Sequence, residues 1–199
     1  MATEIATPYG PARVHLHQAD ESRAALVLGH GAGGGIAAPD LQLAKDVALE
    51  ERISVALVEQ PYRVAGRRSP APAGQLDTAW RAVVDRLRAH ELAGVALITG
   101  GRSLGARVAC RTAPETGAVA VMCLAFPVHP PGRPEKSRLA ELDAVEVPVL
   151  VVQGASDPFG MPPNAPGREV VRVKGDHGLK ADRAAVADAI RAWLRTRTG

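Results

Sequence analysis

Cysteine is almost absent. Cys110 and Cys123 are the only two in the chain, which excludes a disulfide-rich secreted scaffold and a four-cysteine zinc site. They read as reduced core thiols, because cysteine is among the residues most often buried. Aromatic residues make up 3% of the chain, so the stacking side chains that hold single-stranded nucleic acid are nearly missing. Basic residues form no extended block, and nucleic acid is not an expected partner despite the net charge of +3. No segment approaches the roughly 18 apolar residues needed to span a bilayer. Residues 1–17 have neither a basic start nor an apolar central run, so they do not read as a signal peptide. No membrane partner is expected, and the expected location is the cytoplasm. Neither HExxH nor a comparable metal spacing occurs, so no metal and no cofactor are expected.

What is present is enough for a core. The chain has 199 residues, of which 46% are hydrophobic and 23% charged. That length suits one domain, 1–199. Continuous apolar runs at 24–29 (AALVLG), 53–58 (ISVALV), 95–99 (VALIT), 119–125 (VAVMCLA) and 148–153 (PVLVVQ) suit strands buried on both faces of a parallel sheet. Residues 13–17 and 169–173 alternate, as strands nearer an edge do. Between these runs the period becomes helical. Leu76, Trp80, Val83, Val84 and Leu87 form one stripe, Val186, Ile190, Trp193 and Leu194 another, and Leu41, Ala44, Val47 and Ala48 a shorter one opened by Pro39. Both tryptophans sit on these stripes and read as core. Strands alternating with helices give an α/β fold with a doubly wound, mostly parallel sheet. Pro/Gly-rich stretches at 61–74 and 127–134 follow strands and read as long loops bordering the functional crevice.

The strongest chemical signal is Gly101-Arg102-Ser103-Leu104-Gly105. It matches G-x-S-x-G, between an apolar strand and a helix-compatible segment at 106–113. A sharp turn there lifts the serine hydroxyl clear of the sheet, and the glycines let strand and helix backbones pass closely. The glycine-rich segment His30–Gly35 directly follows the strand at 24–29. It can supply a backbone N–H to an oxyanion, with the N–H of Leu104 as the second donor. A dinucleotide loop is the rival reading, but no helix starts at once after it. His30 reads as a brace for this loop. A serine needs a base, and the base an orienting acid. Asp157 follows the strand at 148–153 and His177 the strand at 169–173, so the chain order is serine, acid, histidine. Asp176 is the fallback acid. His129 sits in the second rim loop, while His15, His17 and His90 read as solvent-facing.

Segments 28–35 (LGHGAGGG), 100–109 (GGRSLGARVA), 126–138 (FPVHPPGRPEKSR), 149–160 (VLVVQGASDPFG) and 175–180 (GDHGLK) together make the sequence resemble the α/β-hydrolase superfamily. The resemblance is closest to a small lidless branch with testis-expressed protein 30-like and dienelactone-hydrolase-like proteins. It implies a serine hydrolase of the carboxylesterase kind, with Ser103 as nucleophile, His177 as base, Asp157 as its orienter, and Ala32 as oxyanion donor beside Leu104. The resemblance itself implies no substrate; a small ester or thioester is the preferred reading, and the same residues could cleave an amide. Some superfamily relatives are non-catalytic scaffolds, which is the alternative reading. Only residues 126–146 stand where larger members insert a cap, so a minimal fold without a cap domain and an open, shallow pocket with little apolar volume are expected. Arg63, Arg67 and Arg68 lie in one rim loop, Arg133, Lys136 and Arg138 in the other, and Arg102 in the elbow. Arg102, His129, Arg63 and Arg133 are candidate substrate contacts; the basic residues could steer an anionic substrate or form no more than a solvated, Arg-rich surface.

Overall fold

The structure, a computed structural model, describes residues 2–197. Its strands are β1 (Ala2–Ile5), β2 (Ala12–His17), β3 (Ala24–Gly29), β4 (Ile53–Glu59), β5 (Ala96–Arg102), β6 (Ala120–Leu124), β7 (Val149–Gly154) and β8 (Arg168–Val173). They form one sheet in the order β1-β2-β4-β3-β5-β6-β7-β8. β3 to β8 are parallel, and β1 and β2 add antiparallel at one edge. The continuous apolar runs are the interior strands: β3, β6 and β7 are buried at every position.

Among the described residues six helices connect or flank them: α1 (Pro39–Glu50), α2 (Pro61–Val64), α3 (Ala73–Ala89), α4 (Leu104–Thr116), α5 (Leu139–Asp143) and α6 (Arg183–Arg195). Alternate residues of each strand face opposite layers. Leu26 and Leu28 pack with α1 and α6. Ala25 and Val27 pack with α3, while Cys123 and Val151 pack with α4 and α5. Trp80 and Trp193 are buried on their helix stripes, as their spacing requires. Pro39 opens α1, and the Asp182 carboxylate caps α6 by accepting from the Ala185 N–H at 3.1 Å.

Three elements differ from the sequence reading. β1 lies outside β2, so residues 13–17 are not the edge. Its segment ATEI is mostly exposed, so it carries no apolar pattern, and pairing with β2 alone makes it a strand. The stretch 61–74 is not all loop: it holds α2 and the start of α3. Pro61 at the first turn and buried Tyr62 fix α2. Finally, residues 126–146 contain α5, a helix of 5 residues. No cap domain is inserted there.

One close approach positions everything that follows. A Cβ on Gly105 or on Gly101 would overlap the Gly29 carbonyl. Only glycine at these positions lets the start of α4 settle on the ends of β3 and β5. The strand order reverses between β3 and β5, the place where open α/β sheets form a crevice beyond their strand C-termini.

Candidate active site

β5 ends at Arg102, and the next residue turns the chain sharply into α4. Ser103 has φ 51° and ψ −106°, a left-handed conformation that a non-glycine residue holds only when its surroundings enforce it. The enforcement is visible. The Ser103 N–H donates to the Leu124 carbonyl at 2.9 Å, and the Arg107 N–H donates to the Ser103 carbonyl at 3.2 Å.

His177 arrives from the loop after β8. Its Nε2 lies 3.0 Å from Ser103 Oγ, and its Nδ1 lies 2.8 Å from Asp157 Oδ2. Asp157 follows β7 and is an acceptor only, so Nδ1 carries the proton and Nε2 accepts from the serine hydroxyl. The Asp157 side chain is 1% exposed. Its charge is met by two further donors: Gln153 Nε2 to Oδ2 and the Phe159 N–H to Oδ1, each at 2.8 Å. The Phe159 ring packs on the imidazole, with centroids 4.2 Å apart. Asp176 is engaged elsewhere: its Oδ1 accepts from the Gly178 N–H at 2.8 Å, closing the turn that presents His177. Gly154 lets that turn approach, since a Cβ there would overlap the Asp176 carbonyl.

The glycine-rich loop after β3 is braced from β4. The Gln60 N–H donates to His30 Nε2 at 3.1 Å, and His30 Nδ1 bonds the Gly31 carbonyl at 2.8 Å. The His30 ring is therefore protonated at Nδ1 and fully used, which fits a brace and leaves no nitrogen for proton transfer. Its burial lowers its pKa below the usual 6.5. The His30 bond to the Gly31 carbonyl holds the peptide that carries the Ala32 N–H, and the Tyr62 hydroxyl holds the next peptide by donating to the Ala32 carbonyl at 3.1 Å. Leu104 opens α4, so its N–H has no acceptor within the helix.

Ala32, Ser103 and Leu104 stand in the wall of a cavity of about 370 Å³. Pro70, Ala71, Leu76, Pro127 and Phe159 make much of the lining apolar. The expectation of little apolar volume is thus corrected, because Pro70, Ala71 and the start of α3 (Ala73, Leu76) supply an apolar wall.

The expected ring of basic substrate contacts is rearranged. Arg102 is turned away from the cavity. Its Nε forms an ion pair with buried Asp40 at 2.8 Å, and its Nη2 donates to the His177 carbonyl at 3.2 Å. A Cβ on Gly31 would lie 2.8 Å from its Nη1, so the glycine makes room for the guanidinium. Burial raises the Asp40 pKa, and Arg102 opposes the rise. His129 bonds the Pro130 carbonyl at 2.9 Å and packs against Gly160. Arg63 lies beside Gly35, and Arg133 is exposed. None of these four lines the cavity; Arg138 does, joined by Arg107 and Arg111 of α4. Sequence reasoning missed these last two because they read as the polar face of a helix. It missed Gln153 because a single amide at the end of an apolar strand carries no signal of its own.

The family model of the alpha/beta hydrolase domain matches residues 22–190. The chain belongs to the alpha/beta hydrolase family. Solved structures agree on the fold. A serine hydrolase from Xanthomonas campestris, described as lacking a lid, is 20% identical with a TM-score of 0.83, over 100% of this chain and 94% of that one. A dienelactone hydrolase from Anabaena variabilis is 16% identical with a TM-score of 0.75, covering 100% and 95%. The esterase Pf2001 from Pyrococcus furiosus is 15% identical with a TM-score of 0.79, covering 100% and 90%. As an alpha/beta hydrolase the chain is of the minimal kind, with α5 in place of a cap. Among its described residues no group of three or more His, Cys, Asp or Glu side chains is placed to hold a metal ion. No helix of the described residues is long and apolar enough to cross a membrane.

Proposed function

We propose that this alpha/beta hydrolase is a serine hydrolase that cleaves a small ester or thioester through an acyl-enzyme on Ser103. The observation that carries the reading is the relay from Ser103 Oγ through His177 to Asp157, at 3.0 and 2.8 Å, on a strained serine at the cavity wall. His177 takes the hydroxyl proton as Ser103 attacks the carbonyl, and Asp157 stabilises the imidazolium that forms. The N–H groups of Ala32 and Leu104 receive the oxyanion. The imidazolium then protonates the leaving alcohol or thiol. Water, deprotonated by His177, releases the acid and restores the serine.

The kinetic test is hydrolysis of aryl acetates and acetyl thioesters by wild type and Ser103→Ala. A burst of one product per enzyme is expected from wild type when deacylation is slow. Ser103→Ala should lose at least about 10³-fold in kcat, the scale of nucleophile removal in such relays. Undiminished turnover by Ser103→Ala would overturn the assignment.

A further inference from the structure

The cavity beside Ser103 is unevenly charged. Its three charged lining residues, Arg107, Arg111 and Arg138, are all cations. The carboxylates that balance two of them do not line it. Glu141 holds Arg107 through Nε and Nη2 at 2.8 and 2.5 Å. Asp77 holds Arg111 through Nε and Nη2 at 2.8 and 2.6 Å, and Glu141 also takes Arg111 Nη1 at 3.2 Å. Asp77 and Glu141 open instead onto a separate depression bordered by Arg81 and Cys110. They anchor the two guanidiniums from the far side. Arg138 has no such anchor: its guanidinium carries no ion pair among the described residues. It is half-buried, and burial together with repulsion from Arg107 lowers its pKa, against the attraction of Glu141, which lies beyond ion-pair distance.

Resting on the hydrolase reading above, we propose that this end of the cavity is a carboxylate-binding subsite with Arg138 as its principal donor, so that the preferred ester carries a terminal carboxylate. A guanidinium offers a planar fork that matches a carboxylate. Arg107 keeps Nη1 uncommitted beside it, since only its Nε and Nη2 are held by Glu141. Two carboxylates against three guanidiniums leave one positive charge unmatched. An incoming anion completes the balance that the fold leaves open. The same cavity is lined by Ala71, Leu76 and Leu104, apolar surface for a short hydrocarbon spacer between ester and anion. The rim cations Arg133 and Lys136 are exposed, where salt and water screen them.

The test compares the monophenyl ester of succinic acid with phenyl 4-methylpentanoate, its neutral counterpart in shape, and 4-acetoxybenzoate with its methyl ester. The first pair places the carboxylate on the acyl side, the second on the leaving group. Wild type should favour the carboxylate in at least one pair by about tenfold or more in kcat/KM, the scale of a charge-assisted hydrogen bond. Arg138→Gln should collapse that ratio toward one, Arg138→Lys should keep part of it, and Arg133→Gln should keep all of it. Equal use of charged and neutral esters by wild type overturns the subsite and leaves the hydrolase reading standing. If no ester is turned over, the hydrolase reading falls and the subsite is judged by calorimetry. Succinate monophenyl ester should then bind Ser103→Ala and fail to bind Ser103→Ala/Arg138→Gln, and equal binding to both overturns it.

Discussion

Gln153 is fully buried at the end of β7 and aims its amide nitrogen at three acceptors: Asp157 Oδ2, the Gly160 carbonyl and the Phe126 carbonyl. It ties the acid to the loops on either side. Gln153→Leu keeps the size and removes the donor. Stability should fall by about 2 kcal/mol and kcat by about tenfold, because a hydrogen bond to a buried charge is lost. KM should move little, and an unchanged kcat in steady-state assays would show that Asp157 needs no such support. His30 sets a pH dependence. Its folded pKa lies below 6.5, so the unfolded chain binds more protons between the two values. Stability is therefore full above that range and lost as pH falls through it. His17 is shifted the same way. Denaturant melts between about pH 7 and pH 5 should show a smaller loss for His30→Gln than for wild type, and parallel curves would contradict the assignment.

Three elements meet at Arg102: the end of β5, the start of α1 through Asp40, and the His177 loop. The Asp40 side chain is 1% exposed. Arg102→Ala would leave that carboxylate buried without its partner, a change of about 3–5 kcal/mol in other proteins. The expected result is a large drop in Tm, with Asp40→Asn/Arg102→Gln less affected than Arg102→Ala alone. Equal losses would mean that the ion pair does not couple the elements. This junction also shows what one sequence can and cannot reveal. The buried strands were legible because burial on both faces needs continuous apolarity, as in AALVLG. That Ser103, Asp157 and His177 lie within hydrogen-bond reach of one another could be expected because each follows a strand in a fixed order. Arg102 was misplaced because its partners stand 62 and 75 positions away, at Asp40 and His177. Nothing in a local pattern encodes such a distance. Arg107 and Arg111 were hidden for the same reason: their carboxylates lie on α3 and α5.

The whole molecule is a sheet with two helical layers and a site roofed only by short segments. α5 occupies the place of a cap, and Pro70, Ala71 and the start of α3 form one wall. A cavity of about 370 Å³ is near the lower end of ligand-pocket sizes. Activity should therefore peak with short acyl chains and decline for chains of about eight carbons or more. With no lid to open, the rate should rise smoothly as an amphiphilic ester passes its micellar concentration. An abrupt rise at that concentration would reveal a closing element that the fold does not contain. The central claim, that Ser103 is an activated nucleophile, is tested most directly by intact-protein mass spectrometry after treatment with a fluorophosphonate. The account predicts one adduct per chain, mapped to the peptide containing Ser103 and absent from Ser103→Ala and His177→Ala. Wild-type protein that stays folded and unlabelled, or labelled elsewhere, would contradict it.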